Sequence, residues 1–487
     1  WILRPDRVLA IGAGLEIKMT TTTKAIMIGS AAALFAVSGA QAADLPLKAK
    51  AVEYVKVCSL YGAGFYYIPG TDTCIKFGGY VRADTSFNAS GAYDAPRWNG
   101  PVTRASNDYI ARSRLVFTLD TRTATEYGVV RIYSDLRFNW TTDSSARAGG
   151  DVGVYYAFIQ FAGFTMGKAV SQFSAPWTGF PGNNTSYLIG GEDVDSGINQ
   201  IAYTAQFGNG VSAAFSLEEA SGLNGAAPVS SYARAPLYDV TSGFTPASNW
   251  AGTNVPDIVG QVRVDQAWGI FQASALAHQL RAGPYGYYGG GAGAPHPDDA
   301  WGFAAQLALS LKNLPTGAGD TINLSVGYAN GASRNIIGGV SPDSFQIWGG
   351  GNTRVAYAYS SDGVFGAGGS IQKTEAWGLR GAFNHNWDAH WSSSLFGSYT
   401  QVRYNDTAKA LLSGTSICSG LLACNPDFNI SQLGFLTKWT PVKNLTFSGE
   451  VMYTYIDQKN VGVTPIGGAT LASEGTWTFG VRAQRNF

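Results

Sequence analysis

The sequence predicts an all-β chain: a transmembrane antiparallel β-barrel of about 16 strands whose third loop folds inward. Three observations carry that reading. Strand-length segments alternate apolar and polar residues with a period of two along most of the chain. Tight turns and long Gly/Pro/Ser/Asn-rich loops alternate between those segments. An export signal precedes them all.

The signal is "MTTTTKAIMIGSAAALFAVSGAQA", residues 19–42, with Lys24 as the positive region and an apolar core over 25–37. Ala40-Gln41-Ala42 is a small-x-small cleavage pattern, so the cut is expected before Ala43. Residues 1–18 precede the first methionine and read as an upstream translation artefact. Residues 43–75 form a short N-terminal segment, and 76–487 the barrel. After the signal no apolar run is long enough for a membrane-crossing helix.

Basic and acidic side chains number 33 each, so no electrostatic case for nucleic acid arises. Glycine is abundant at 62, Tyr and Phe reach 25 each, and Met is scarce at 4, a composition of strands and turns. A mean hydropathy near zero decides nothing, because a barrel hides its membrane signal in alternation.

The elements follow in order. "IKFGGYVRADTSF" sets Phe77, Val81 and Phe87 against Lys76, Tyr80, Arg82 and Asp84. "YIARSRLVFTLD" sets Ala111, Leu115, Phe117 and Leu119 against Arg112, Arg114, Thr118 and Asp120. "GVVRIYSDLRFNW" sets Val130, Ile132, Leu136, Phe138 and Trp140 against Arg131, Asp135, Arg137 and Asn139. The pattern continues through "VGVYYAFIQFAG", "FTMGKAVSQF", "NQIAYTAQFG", "GVSAAFSLEE", "DIVGQVRVDQAW", "GIFQASALAHQL", "WGFAAQLALSLKNL" and "TINLSVGYANGA". It ends with "AWGLRGAFNHNW", "HWSSSLFGSYTQVRYN", "ISQLGFLTKWTPV", "LTFSGEVMYTYIDQK" and "GTWTFGVRAQRNF". A soluble sandwich would turn its polar faces to water, yet here those faces carry dense arginine while tryptophans gather at strand ends, as a membrane girdle requires. The last strand is expected to close the barrel against the first. Phe487, with Trp477 and Phe479 upstream, resembles the C-terminal signal by which bacterial barrel proteins are recognised for assembly, which implies the barrel assembly machinery as a partner.

Four cysteines suit an oxidising compartment. Local pairing, Cys58 with Cys74 and Cys418 with Cys424, is the simplest of three connectivities; a metal reading is poor because neither pair is CxxC and no histidine lies near. No metal and no cofactor is expected.

The stretch "EYVKVCSLYGAGFYYIPGTDTCIKFGGYVRAD", with "YIARSRLVF" and the closing strand, resembles alphaproteobacterial general porins. The resemblance implies a sixteen-stranded homotrimer in the outer membrane of a Gram-negative bacterium. It also implies a third loop in the lumen and passive passage of small hydrophilic solutes and ions. The partners expected are outer-membrane lipids and those solutes.

A barrel of this strand number leaves an aqueous bore. The loop "SAPWTGFPGNNTSYLIGGEDVDSGIN" carries Glu192, Asp193 and Asp195, and the inward faces of the first three strands carry Arg82, Arg112, Arg114, Arg131 and Arg137. Opposed rows of charge would order water across a constriction and penalise apolar solutes. The bland alternative pairs the arginines with Asp84, Asp120 or Asp135 along the wall. A calcium loop lacks the required Gly and Glu spacing. Lys168, Arg263, Arg380, Arg403 and Lys438 are further candidates for the bore. No catalytic residue is proposed: His390 lies near Ser392–Ser394, but neighbouring strand residues alternate sides and no acid is positioned. "GGGAGA" lacks the strand–turn–helix context of a phosphate loop. The competing function is a non-conducting surface protein, an adhesin or receptor.

Overall fold

The computed structural model describes residues 56–89, 95–142, 149–177, 181–185, 188–192, 196–219, 234–243, 245–286, 293–338, 344–464 and 468–487. The signal peptide, residues 1–18 and the start of the N-terminal segment lie outside them.

Sixteen antiparallel strands make one closed sheet. They are β1 Thr73–Phe87, β2 Tyr109–Thr125, β3 Gly128–Thr141, β4 Asp151–Phe161, β5 Phe164–Ala169, β6 Ile198–Gly208, β7 Val211–Glu218 and β8 Asp257–Gln266. The rest are β9 Gly269–Leu280, β10 Ala300–Lys312, β11 Thr321–Asn330, β12 Glu375–Asn386, β13 Trp391–Arg403, β14 Phe428–Val442, β15 Leu445–Gln458 and β16 Glu474–Asn486. Each alternating segment of the sequence is one of these strands. β1 pairs with β16 from Tyr80↔Asn486 to Phe87↔Phe479, which closes the cylinder. At the seam Phe487 N–H donates to Gly79 O at 3.1 Å. A Cβ on Gly79, at φ +152°, would meet Val116 O and then the Phe487 ring, so this position requires glycine.

Burial is inverted relative to a soluble fold. Val81, Phe271, Leu307, Leu379, Leu395 and Phe479 are exposed on the outer face, whereas Asp84, Arg114, Gln272, Gln306, Arg380 and Gln432 are buried on the inner one. Only a hydrocarbon solvent makes that arrangement favourable. Tryptophans mark both rims. Trp391, Trp439 and Phe447 stack across three strands on the short-turn side at 5.9 and 5.6 Å, and Trp377–Tyr399 and Tyr453–Trp477 pair at 5.4 and 4.9 Å on the loop side. Turns are short where residues tolerate positive φ: Asn209 and Gly210, at +49° and +72°, link β6 to β7.

Two boundaries differ from the sequence reading. β1 starts at Thr73, just inside the segment expected to precede the barrel, because Tyr66–Tyr67 pairs with Cys74 and Ile75. Both local disulfides form, Cys58–Cys74 and Cys418–Cys424. The first sits with Phe65 in a small buried cluster, and Arg122 lies over the Phe65 ring at 5.0 Å, so the segment packs on the inner face of the short-turn mouth. β5 ends at Ala169 rather than Phe173, because Glu218 pulls the chain off the wall. Its carboxylate accepts from Ser171 Oγ at 2.6 Å and from Gln172 N–H at 2.8 Å.

The long loops build a packed outer layer of their own. Ser344–Gly349 pairs with Arg354–Tyr359, and Leu237–Asp239 runs parallel to Gly363–Phe365. Trp98, Phe345, Ile347, Tyr404, Leu412 and Phe428 bury together in it.

Candidate functional site: the neck of the bore

The described residues of the loop between β5 and β6 bond to the inner face of the wall. Phe173 O and Ser174 O accept from Ser274 Oγ and Gln272 Nε2 of β9 at 2.8 and 2.6 Å. Pro181 O accepts from Asn323 of β11 and Asn384 of β12 at 2.5 and 3.1 Å. Asn184 reaches Glu450 and Ser448 of β15 at 2.5 and 2.7 Å, and Ile189 N–H meets Gln432 of β14 at 2.8 Å. Glu192 N–H returns to Gln306 Oε1 of β10 at 2.9 Å. Amides suit this seat because each can donate and accept toward a loop backbone that would otherwise be buried unpaired.

The loop also has an apolar underside. Leu188 packs on Ala382, Phe396, Leu436 and Met452, inward positions of β12–β15 that break the polar rule of the inner face. Gly378 and Gly190 approach so closely that a Cβ on Gly378 would sit 2.6 Å from the Gly190 backbone. Arg380 of β12 is 2% exposed beneath the loop and donates to Ser325 Oγ at 3.2 Å and to Leu188 O at 3.4 Å.

The opposite stretch of wall carries arginine. On β1 and β2, Asp84 accepts from Arg112 Nε and Nη2 at 3.0 and 2.7 Å. The same carboxylate accepts from Arg482 Nε of β16 at 2.7 Å. Arg137 pairs with Asp135 at 3.1 Å and lies 3.5 Å from the Tyr155 ring centroid. Arg82 and Arg114 bond instead to amide oxygens, of Gln484 at 2.8 Å and Asn139 at 2.5 Å. Arg482 Nη2 also touches the loop at Asn184 O, 3.4 Å away, so the arginine wall begins where the described loop backbone reaches β16.

The sequence-predicted set therefore divides. Arg82, Arg112, Arg114 and Arg137 share one patch. Arg131 stands apart, toward the short-turn mouth, held by Asp120 at 3.0 Å with Arg122 on the same carboxylate. Glu192 is buried with its backbone against β10, and β10 lies eight places from β2 in the sheet order. Asp193 and Asp195 lie outside the described residues. Sequence reasoning put Arg482 on the polar face without a role, and missed Glu218, Gln306 and Gln432; alternation marks such residues as inward-facing but gives no depth. His390 Nδ1 faces Thr440 O at 2.9 Å, while Ser393 Oγ bonds to Thr437 and Trp387.

Comparison with known proteins agrees with this geometry. The family model described as "Porin subfamily" matches residues 44–479. The chain belongs to that porin subfamily. Among curated relatives, Porin Omp2b of Brucella suis biovar 1 (strain 1330) is 34% identical over 260 residues, which is 50% of this chain and 63% of that protein. Porin Omp2b of Brucella abortus (strain 2308) is 33% identical with the same coverage. The matched stretch is thus under two thirds of the length of either relative. Among solved structures, the outer membrane channel DcaP of Acinetobacter baumannii superposes with a TM-score of 0.57 at 14% identity, over 86% of this porin and 99% of that chain. That likeness shows the fold. This porin is an outer-membrane β-barrel.

Proposed function

We propose that this porin is an open channel for the passive diffusion of small hydrophilic solutes and ions, with its neck between the arginine patch and the inner loop. The observation that carries the reading is the patch itself. Five guanidiniums, Arg82, Arg112, Arg114, Arg137 and Arg482, line a wall for which the described loop supplies no apolar cover. Arg112, Arg137 and Arg482 are paired with carboxylates, whereas Arg82 and Arg114 hold only amides among the described residues, and a guanidinium that stays charged without a carboxylate needs water. Loop carboxylates Glu192, Asp193 and Asp195 complete the transverse field in this reading, and the assembly is a homotrimer, as the sequence resemblance implies.

The test is current across a planar bilayer with detergent-purified, natively assembled protein. Stepwise conductance closing in thirds at high voltage is expected for a trimer of open pores. Replacing Glu192, Asp193 and Asp195 together by their amides should shift ion selectivity; unchanged selectivity removes them from the neck. A folded, inserted but silent barrel would overturn the channel and favour a surface receptor built on the packed outer loops.

A further inference from the structure

We propose that the neck selects for small oxyanions, and that Arg82 and Arg114 are its capture point. The inference rests on the channel reading and names the class of solute.

Arg82 and Arg114 are direct cross-strand partners on the inner face of β1 and β2. Their Cβ atoms therefore stand about 5 Å apart, and like charges in that position repel. Folded chains usually relieve such a pair with a carboxylate. Among the described residues the nearby carboxylates are committed elsewhere: Asp84 is shared by Arg112 and Arg482, and Asp135 is bound by Arg137. Arg82 and Arg114 instead use Nε on the neutral amides of Gln484 and Asn139. Each guanidinium otherwise rests on an aromatic ring, Arg82 over Tyr80 at 4.4 Å and Arg114 beside Tyr155 at 5.8 Å. Arg482 adds a further repulsion on Arg82, which the charge of Asp84 offsets in part without a hydrogen bond to it.

The arrangement holds the cations in place without neutralising them. Nε is anchored, which turns the Nη groups away from the anchor. A guanidinium presents its donors as a planar fork matched to two oxygens of a carboxylate, phosphate or sulfate, and it cannot relieve the repulsion by losing its proton. An oxyanion between the two forks removes the repulsion when it arrives and restores it when it leaves. Binding of that kind favours entry without trapping the solute, as conduction requires. Chloride matches the charge but not the fork, so it passes with a weaker hold.

The experiment uses the same bilayer with a KCl gradient and inorganic phosphate as the probe. The expected reversal potential reports chloride over potassium permeability of roughly threefold or more, the effect of a lumen potential on the order of one kT. Added phosphate should lower the chloride current by transient occupancy. In the double variant R82Q/R114Q the channel still opens, because a repulsive pair has been removed, while the permeability ratio falls toward one and the phosphate block is lost. A channel that opens but is unselective or cation-selective overturns the inference and leaves the channel reading standing. So does selectivity with phosphate block that survives in the double variant. A silent, folded barrel overturns both. Should the double variant misassemble, R114Q alone and the phosphate block of the unaltered protein decide the question.

Discussion

Two stretches of the same inner wall follow different rules. On β12–β15 the inward positions include Ala382, Phe396, Leu436 and Met452, and these lie beneath Leu188 of the loop. On β16 and β1–β3 the inward positions are Arg82, Asp84, Arg112, Arg114, Arg137 and Arg482, tied by ion pairs and amide bonds along the wall. Apolar inward residues mark where the described loop rests on the wall, and the charged ones form a network of ion pairs and amide bonds on the stretch away from it. The described part of the loop covers only the first of these stretches.

The comparison breaks most visibly at Phe396. Its ring fills the space left by Gly434, whose Cβ would sit 2.3 Å from it, so Phe396→Ala leaves a cavity beneath the loop. A loss of about 3 kcal/mol or more in barrel stability is expected, read from the urea midpoint in lipid vesicles and insensitive to salt. An unchanged midpoint would mean that the loop seat carries no stability.

The charged wall responds differently. Asp84→Asn leaves Arg112 and Arg482 without the carboxylate that both use, at an expected cost of about 3 kcal/mol. Added phosphate or high salt should restore part of it, since mobile anions screen the mutual repulsion of the two guanidiniums. Failure of salt to rescue this variant, or rescue of Phe396→Ala, would remove the distinction between the two stretches.

A smaller effect belongs to Gln306, whose amide accepts from Glu192 N–H and donates to Phe173 O and Glu192 O. Gln306→Ala should cost about 1–3 kcal/mol through loop backbone groups left unpaired. Its sharper readout is conductance, which should become noisier as the loop loosens, while selectivity set by the far wall stays the same.

The smallest effect lies in the turn before β11, outside both stretches. Asp320 accepts first from Asn386 N–H at 2.9 Å and then from His385 Nδ1 at 2.7 Å, and these bonds lower its pKa to about 2. A carboxylate with a depressed folded pKa stabilises above its unfolded value, about 3.9, and the contribution fades as pH falls through the folded value. Thermal stability should therefore hold from neutral pH to about 5 and decline between about 4 and 2. Asp320→Asn should flatten that decline.

The strands were readable because each one separates two solvents. Residues such as Val81 and Arg82 have opposite transfer costs, and a one-residue slip would exchange them, so a period of two is imposed on every segment. The outer layer was not readable for the converse reason. Some of its pieces, such as Gly363–Phe365 against Leu237–Asp239, are three residues long and pair across more than a hundred positions of sequence. Within the site, the sequence named Arg82 and Arg131 as equals. Only the position of Asp120 beside Arg131, and the absence of any carboxylate among the described hydrogen-bond partners of Arg82, separates a mouth residue from a neck residue.

What the chain determined by itself is the alternation, the number of strands and the side of the sheet on which each charge stands. These follow from the pleat and from the cost of placing an arginine in hydrocarbon. What the tertiary structure decided is depth and company: which stretch of wall the described loop covers, and which arginines share one carboxylate while two others face each other with none among the described residues. Those depend on where a 28-residue excursion between Ala169 and Ile198 finds partners, across strands distant in sequence, for its buried backbone groups.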